Sequence, residues 1–154
     1  MHTDRTLTLL TALALLTLAL PLDATAEETA TVTLVVEVPE GVFTNTYKGY
    51  ESFTWTDTVG YTDGLTALDL LDQVATARGS TYTAVWYDID GDGQEDDAFI
   101  DEIDGVASDF TLLLFGYYWA LYDNGAYAST GAAGLVVDAG DTVTLRYEGW
   151  PASV

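Results

Sequence analysis

The sequence predicts a single α+β domain with several β-strands and one α-helix. Most of the chain after residue 30 alternates β-branched or aromatic residues with polar ones, and turn residues interrupt this pattern at short intervals. One segment, Tyr61–Gly79, instead has apolar residues at helical spacing between a helix start and a helix stop. A length of 154 residues suits one domain, so we expect one helical layer against one sheet.

The N-terminal segment is typical of a secretory signal peptide. Arg5 precedes an apolar run from Leu7 to Leu22, and Ala24-Thr25-Ala26 forms a small-x-small cleavage pattern. We therefore expect removal of residues 1–26, a domain over residues 27–154 and a secreted protein without a membrane span. An uncleaved anchor is the alternative, because the apolar run contains several threonines.

The strand patterns lie on both sides of the predicted helix. Before it, Thr31–Val38 alternates β-branched and apolar residues, and Val42–Thr58 fits one or two strands with a turn at Lys48-Gly49. The apolar segment Phe110–Phe115 leads into a hairpin. Strands are also predicted in four further segments, which are Thr81–Ile89, Ala98–Ile103, Leu135–Val137 and Thr142–Tyr147.

The helix is predicted over about residues 66–78, because its start, buried face and stop agree. Thr66 is the expected N-cap, and Asp69 completes a capping box. Gly79 is placed to end the helix in the left-handed conformation. Apolar residues recur at the spacing of a buried stripe, namely Leu68, Leu70, Leu71, Val74 and Ala75.

Asn124-Gly125 predicts a β-hairpin, because this dipeptide supplies the two positive φ angles of a type I′ turn. Strand alternation then places Tyr118 and Tyr122 on one face and Trp119 on the other, with Tyr127 opposite Tyr122. Flat aromatic side chains with polar tips suit ligand binding, but the same rings also suit a small core, which is the favoured place for Trp119. The candidate ligand-binding residues are Tyr118, Tyr122, Tyr127, Trp119 and Asn124.

The segment Asp88–Asp96 resembles a calcium-binding loop. Its D-x-D-x-D-G spacing wraps oxygen ligands around one point, with Gly93 at the sharp turn. Phe99 stands where such a loop normally has a bidentate glutamate, so a solvated acidic turn is the alternative. The candidate metal ligands are Asp88, Asp90, Asp92, Gln94 through its backbone carbonyl, and Asp96.

Composition excludes several classes of function. Cysteine is absent, and the one histidine, His2, lies in the segment expected to be removed. A Ser-His-Asp triad, a Cys-His dyad and a zinc site with the usual ligands are therefore excluded, and we predict that the protein is not an enzyme. A hydrolase with a pair of carboxylates is the alternative, since acidic residues are abundant.

The formal net charge of −21 restricts the kinds of partner that the protein can bind. Such a surface repels nucleic acid and anionic lipid, so neither is an expected partner. It also opposes its own compaction unless salt or bound cations screen the repulsion. This composition fits a protein from a high-salt habitat, and it fits an acidic protein in ordinary medium equally well. We expect the protein to be a monomer.

Three motifs in order resemble the transcobalamin-like C-terminal domain family. They are Gly64–Leu71, the W-x-x-x-x-N-G spacing from Trp119 to Gly125, and Ala139–Val143. The resemblance implies a β-grasp-like mixed sheet packed around a single α-helix, and a binding module rather than an enzyme. The family includes the domain that closes over vitamin B12 in animal cobalamin carriers, so the resemblance implies cobalamin or a related small ligand.

Two functional hypotheses follow. The first is a secreted ligand-binding module, with cobalamin as the leading ligand and with calcium in the acidic loop. The second is an extracellular adhesion or interaction module that binds an envelope protein or another surface protein, or a polysaccharide.

Overall fold

The structure is a computed structural model that describes residues 29–41, 49–112 and 115–150. The predicted signal peptide and the predicted turn residue Lys48 lie outside the described residues. Within the described part, no helix is long and apolar enough to cross a membrane.

The described residues form two β-sheets and one α-helix. The larger sheet has the strand order β2-β1-β9-β7-β6, with β8 beside β7, and the smaller sheet has the order β3-β4-β5. The helix is α1 (Ala67–Arg78), and the strands are β1 (Thr31–Val38), β2 (Phe53–Gly60), β3 (Tyr82–Tyr87), β4 (Asp97–Ile103), β5 (Val106–Ala107), β6 (Asp109–Leu112), β7 (Phe115–Asp123), β8 (Ala126–Tyr127) and β9 (Thr142–Trp150).

The larger sheet is mixed, because β1 runs parallel to β9 while its other pairings are antiparallel. This architecture agrees with the α+β prediction, with much more strand than helix. The second sheet was not predicted. The apolar segment Phe110–Phe115 spans the junction of β6 and β7, and β9 continues beyond the predicted end at Tyr147 to Trp150.

The core lies between α1 and one face of the larger sheet. Alternate residues of β1, from Val32 to Val38, are buried because strand alternation directs them to the helix side. Trp119 and Tyr147 are the largest fully buried side chains there, with ring centroids 5.3 Å apart. The predicted apolar stripe of α1 is buried except at Leu68, which is half-buried.

The helix begins and ends where the sequence predicts. The Thr66 hydroxyl accepts the Asp69 N–H at 3.1 Å, and the Asp69 carboxylate accepts the Thr66 N–H at 3.1 Å. Gly79 ends the helix with a φ of 73°. Local sequence therefore determines both ends of α1.

The predicted strand at Leu135–Val137 is wrong, since only an isolated bridge pairs Val136 with Thr66. The segment lies instead at the start of α1. The Ala67 N–H donates to the Leu135 carbonyl at 2.9 Å, and the Leu68 N–H donates to the Ala132 carbonyl at 2.8 Å. The first N–H groups of a helix have no acceptors within it, and this requirement overrides the β-propensity of the segment.

A buried carboxylate ties the segment 131–137 to the smaller sheet. Asp97 is fully buried, and it accepts hydrogen bonds from the N–H groups of Gly131 at 2.6 Å, Gly134 at 2.8 Å and Ala98 at 2.7 Å. The Tyr87 hydroxyl donates to the same carboxylate at 3.1 Å. Burial alone would raise the pKa of Asp97, but these bonds favour the charged form and hold its pKa below the ordinary value.

Asp97→Asn should lower the free energy of unfolding by about 2–4 kcal/mol, because the new amide nitrogen would face a backbone N–H donor. Urea denaturation at neutral pH measures this loss. Glu51→Gln is the matched control, since it removes the same charge from an exposed site and should change stability by less than about 0.5 kcal/mol.

The effect of Asp97→Asn should also depend on pH. Because folding lowers the pKa of Asp97, its contribution is present above the ordinary aspartate pKa of about 4 and is lost as the pH falls through the lower folded value. The stability difference between the two proteins should therefore shrink from about pH 5 to about pH 2. A difference that does not change over this range would contradict the assigned role.

Candidate functional site

The hairpin of β7 and β8 has the predicted geometry. Asn124 and Gly125 have φ angles of 47° and 81°, and Tyr122 pairs with Tyr127. The Asn124 side chain donates to the Asp141 carboxylate at 2.7 Å and accepts the Thr142 N–H at 2.9 Å. Asn124 therefore fixes the hairpin tip to the start of β9, and its polar groups are engaged there.

The two faces of β7 differ as alternation predicts. Trp119 is 2% exposed on the helix side, and its indole N–H donates to the Val106 carbonyl at 2.8 Å. Tyr118 and Tyr122 lie on the opposite face, which we call the outer face, and both are half-buried. The core interpretation of Trp119 is therefore confirmed.

A single carboxylate holds the tyrosines of the outer face. The Tyr122 hydroxyl lies 2.9 Å from Oε2 of Glu148, and the Tyr118 hydroxyl lies 3.3 Å from Oε1. Burial raises the pKa of Tyr118, and Tyr127 and Glu148 beside it raise that pKa further. Burial and Glu148 likewise raise the pKa of Tyr122, so both phenols are protonated at neutral pH.

Next to these tyrosines lies an open cavity of about 340 Å³, which we call the aromatic hollow. Phe99 stands in the middle, with its ring centroid 6.0 Å from that of Phe110 and 6.4 Å from that of Tyr118. Phe110 and Tyr127 are 60% and 61% exposed. The residues that line the hollow are Phe99, Phe110, Tyr118 and Tyr127.

A second cavity, which we call the recess, shares two of its lining residues with the hollow. It has a volume of about 240 Å³ and lies between β4, β7 and residues 128–132. Phe99 and Tyr127 line both cavities, Trp119 lines the recess from the core side, and Ser129 and Thr130 add polar groups. Among the predicted ligand-binding residues, Tyr118, Tyr127 and Trp119 thus line one or both cavities, and Tyr122 supports Tyr127 with its ring centroid 5.6 Å away.

Sequence reasoning missed Phe99 and Phe110 as site residues. They belong to β4 and β6, and only the docking of the smaller sheet brings them beside Tyr118. In the sequence, Phe110 stands next to a turn-rich segment, and that signal is weak because single apolar residues at such places are common.

The acidic loop between β3 and β4 folds around Asp88. Its carboxylate accepts the N–H groups of Gly93 at 2.7 Å and Gly91 at 2.6 Å, and these bonds hold the pKa of Asp88 below its ordinary value. Carboxylate oxygens of Asp88, Asp90 and Asp96 lie within 4.8 Å of one another. Such a cluster of oxygen ligands can hold a metal ion.

The fourth predicted carboxylate ligand, Asp92, does not belong to this cluster. The Asp92 carboxylate accepts hydrogen bonds from the Gln94 backbone N–H at 2.8 Å and from its side-chain amide at 3.1 Å. The fold thus brings together three of the four predicted carboxylate ligands, and the Asp92 carboxylate contacts Gln94 instead.

Sequence comparison identifies the family. The profile of the family described as "Domain of unknown function (DUF4430)" matches residues 64–149, which is more than half of the chain. The chain belongs to this family. No curated protein sequence matches it.

The fold is similar to part of haptocorrin, which was solved in complex with Cbi. The TM-score is 0.52 at 17% identity, over 78% of this chain and 25% of the haptocorrin chain. This chain thus spans about a quarter of haptocorrin. The likeness supports the transcobalamin-like fold that the sequence resemblance implies, and at this identity it shows the fold alone.

A second similar structure comes from Ruminococcus gnavus ATCC 29149, a protein for which metal binding has been suggested. It is 15% identical over 77% of this chain and 96% of its own, with a TM-score of 0.47. A similarity at this level carries no argument about function.

The tyrosine–carboxylate contact is testable by a double-mutant cycle. Tyr122→Phe should lower the free energy of unfolding by about 1 kcal/mol, since it removes a hydrogen bond to a half-buried carboxylate. In a Glu148→Gln background the same change should have a smaller effect, with a coupling energy of at least about 0.5 kcal/mol from denaturation curves of the four proteins. Strictly additive effects would contradict the contact.

Proposed function

We propose that this protein is a non-enzymatic module that binds a small ligand at the aromatic hollow. The observation that carries this proposal is the convergence of four aromatic rings from four strands on one open, apolar cavity. Ligand sites are typically concave and mostly apolar, with a few placed polar groups, and at the hollow Tyr118 and Tyr127 carry hydroxyl groups.

Cobalamin or a related planar ligand is the proposed occupant. A large flat ring system would stack on exposed aromatic faces such as those of Phe110 and Tyr127. The transcobalamin-like fold supports this choice, since haptocorrin was solved with Cbi. The same proposal includes a β-grasp-like arrangement of the sheet around α1. It also includes secretion of the protein after removal of residues 1–26.

Calcium is the proposed ion of the acidic loop, in a structural role. Hard cations prefer several oxygen ligands, and the carboxylates of Asp88, Asp90 and Asp96 already lie close together. Their mutual repulsion would be relieved by a bound cation. Asp92 and the Gln94 carbonyl complete the proposed ligand set.

An extracellular interaction module is the second candidate, and one observation favours it. β3 is an edge strand of the smaller sheet, and its residues Val85 and Trp86 are 53% and 44% exposed. An edge strand with exposed apolar side chains is a surface to which another protein can add a strand.

Cobalamin should bind the calcium-loaded protein saturably, because the hollow offers a preformed stacking surface. Calorimetric titration together with quenching of the intrinsic fluorescence measures the binding. Tyr127→Ala should weaken it, whereas Trp86→Ala, which removes an exposed ring outside the hollow, should not. The absence of a saturable signal at about 1 mM ligand would contradict the cobalamin proposal.

Calcium removal by a chelator should lower the melting temperature, because an ion that binds only the folded state stabilises it by mass action. At calcium about a hundredfold above its Kd, the expected difference is about 5–10 °C. Asp90→Asn should abolish most of this response, and Glu51→Gln should preserve it. A melting temperature that does not change with calcium would show that the acidic loop binds no structural calcium ion.

A further inference from the structure

The lining of the aromatic hollow restricts the class of ligand. All of the described residues that line it are aromatic, and none carries a formal charge at neutral pH. The rings of Phe99 and Tyr118 are stacked, with an interplanar angle of 24°. Aromatic faces carry the negative part of the ring quadrupole, so each ring face exposed to the hollow attracts positive charge and repels anions.

The surrounding charge acts in the same direction. The chain carries a net charge of −21, and the Glu148 carboxylate accepts a hydrogen bond from the Tyr118 hydroxyl at 3.3 Å. No cation is among the described residues that line the hollow, and Arg146 is paired with Glu37 and lies over the ring of Tyr122, which is outside that lining. The electrostatic potential at the hollow therefore favours a cationic ligand.

We propose that the aromatic hollow binds the quaternary ammonium group of a small soluble molecule. This inference rests on the proposed function, because it names the chemical class of ligand for the same site. A quaternary ammonium group has no N–H to satisfy, so ring faces replace its water shell without loss of hydrogen bonds. A primary ammonium group has three N–H donors, and the only side-chain acceptors among the described lining residues are the hydroxyl oxygens of Tyr118 and Tyr127.

The hollow is open to solvent, so a cationic head can enter it while the rest of the molecule stays in water. The hollow has room for such a head at about 340 Å³. We assign the occupant as a free molecule, and the acidic surface in addition repels membranes that contain anionic lipid.

The decisive probes are choline and 3,3-dimethyl-1-butanol, which have the same shape but differ in the charged nitrogen. Calorimetric titration of the full chain should show that choline binds about tenfold or more tightly than the neutral alcohol. Added sodium chloride should weaken choline binding and leave the alcohol unaffected, because salt screens only the charge. Equal affinity for the two probes would overturn the inference.

Two variants separate the contribution of an aromatic ring to choline binding from the contribution of apolar burial. Phe110→Leu retains an apolar side chain but removes a ring, so it should weaken choline binding by about 2- to 30-fold and change binding of the alcohol little. Trp86→Leu is the matched control, since Trp86 is exposed on β3 outside the hollow, and it should change neither affinity. Loss of choline binding in both variants would overturn the site assignment.

A cobalamin titration of the same preparation distinguishes the two proposals. Binding of cobalamin without binding of choline would overturn this inference and leave the proposed ligand-binding function intact. Failure of choline, the alcohol and cobalamin together would overturn both. Binding of choline without cobalamin would support this inference and assign the hollow to organic cations instead of corrinoids.

Discussion

The buried carboxylate of Asp97 is the interaction on which the rest of the structure depends. It accepts the N–H groups of Gly131 and Gly134, and so holds the segment 131–137 against β4. That segment accepts the first N–H groups of α1 through its own carbonyls. One ionised side chain therefore joins the smaller sheet, the helix and the wall of the recess. A Cβ at Gly131 would lie 2.5 Å from the carboxylate, so this close approach also requires glycine.

The same junction also positions residues of the candidate site. β4 begins at Asp97 and carries Phe99 two residues later, so the anchor of the strand also positions the central ring of the aromatic hollow. The other rings come from β6, β7 and β8, which means that the hollow exists only when both sheets are docked. A site assembled in this way is preorganised, so ligand binding costs the protein little conformational entropy. Glu148 contributes in the same sense by fixing two tyrosine hydroxyls.

Local signals predicted a large part of this fold, and non-local contacts account for what they missed. The ends of α1 and the Asn124-Gly125 turn depend on neighbours within a few residues, so sequence alone located them. The segment Leu135–Val137 has strand propensity, but the Leu135 carbonyl instead accepts the Ala67 N–H at the start of α1. Phe99 was recognisable only as a departure from the calcium pattern, because its partners lie on strands that are distant in sequence. Asp97 looked like one more acid of the loop, and only burial distinguishes it.

The most direct test of ligand binding at the hollow is two-dimensional ¹³C–¹H NMR of the aromatic side chains, recorded with and without choline and cobalamin. The buried ring of Trp55, which packs in the core, serves as the internal reference and should not shift. Largest shift changes at Trp86 or along α1 would contradict a site at the hollow. We expect the largest changes at the four residues that line it, namely Phe99, Phe110, Tyr118 and Tyr127.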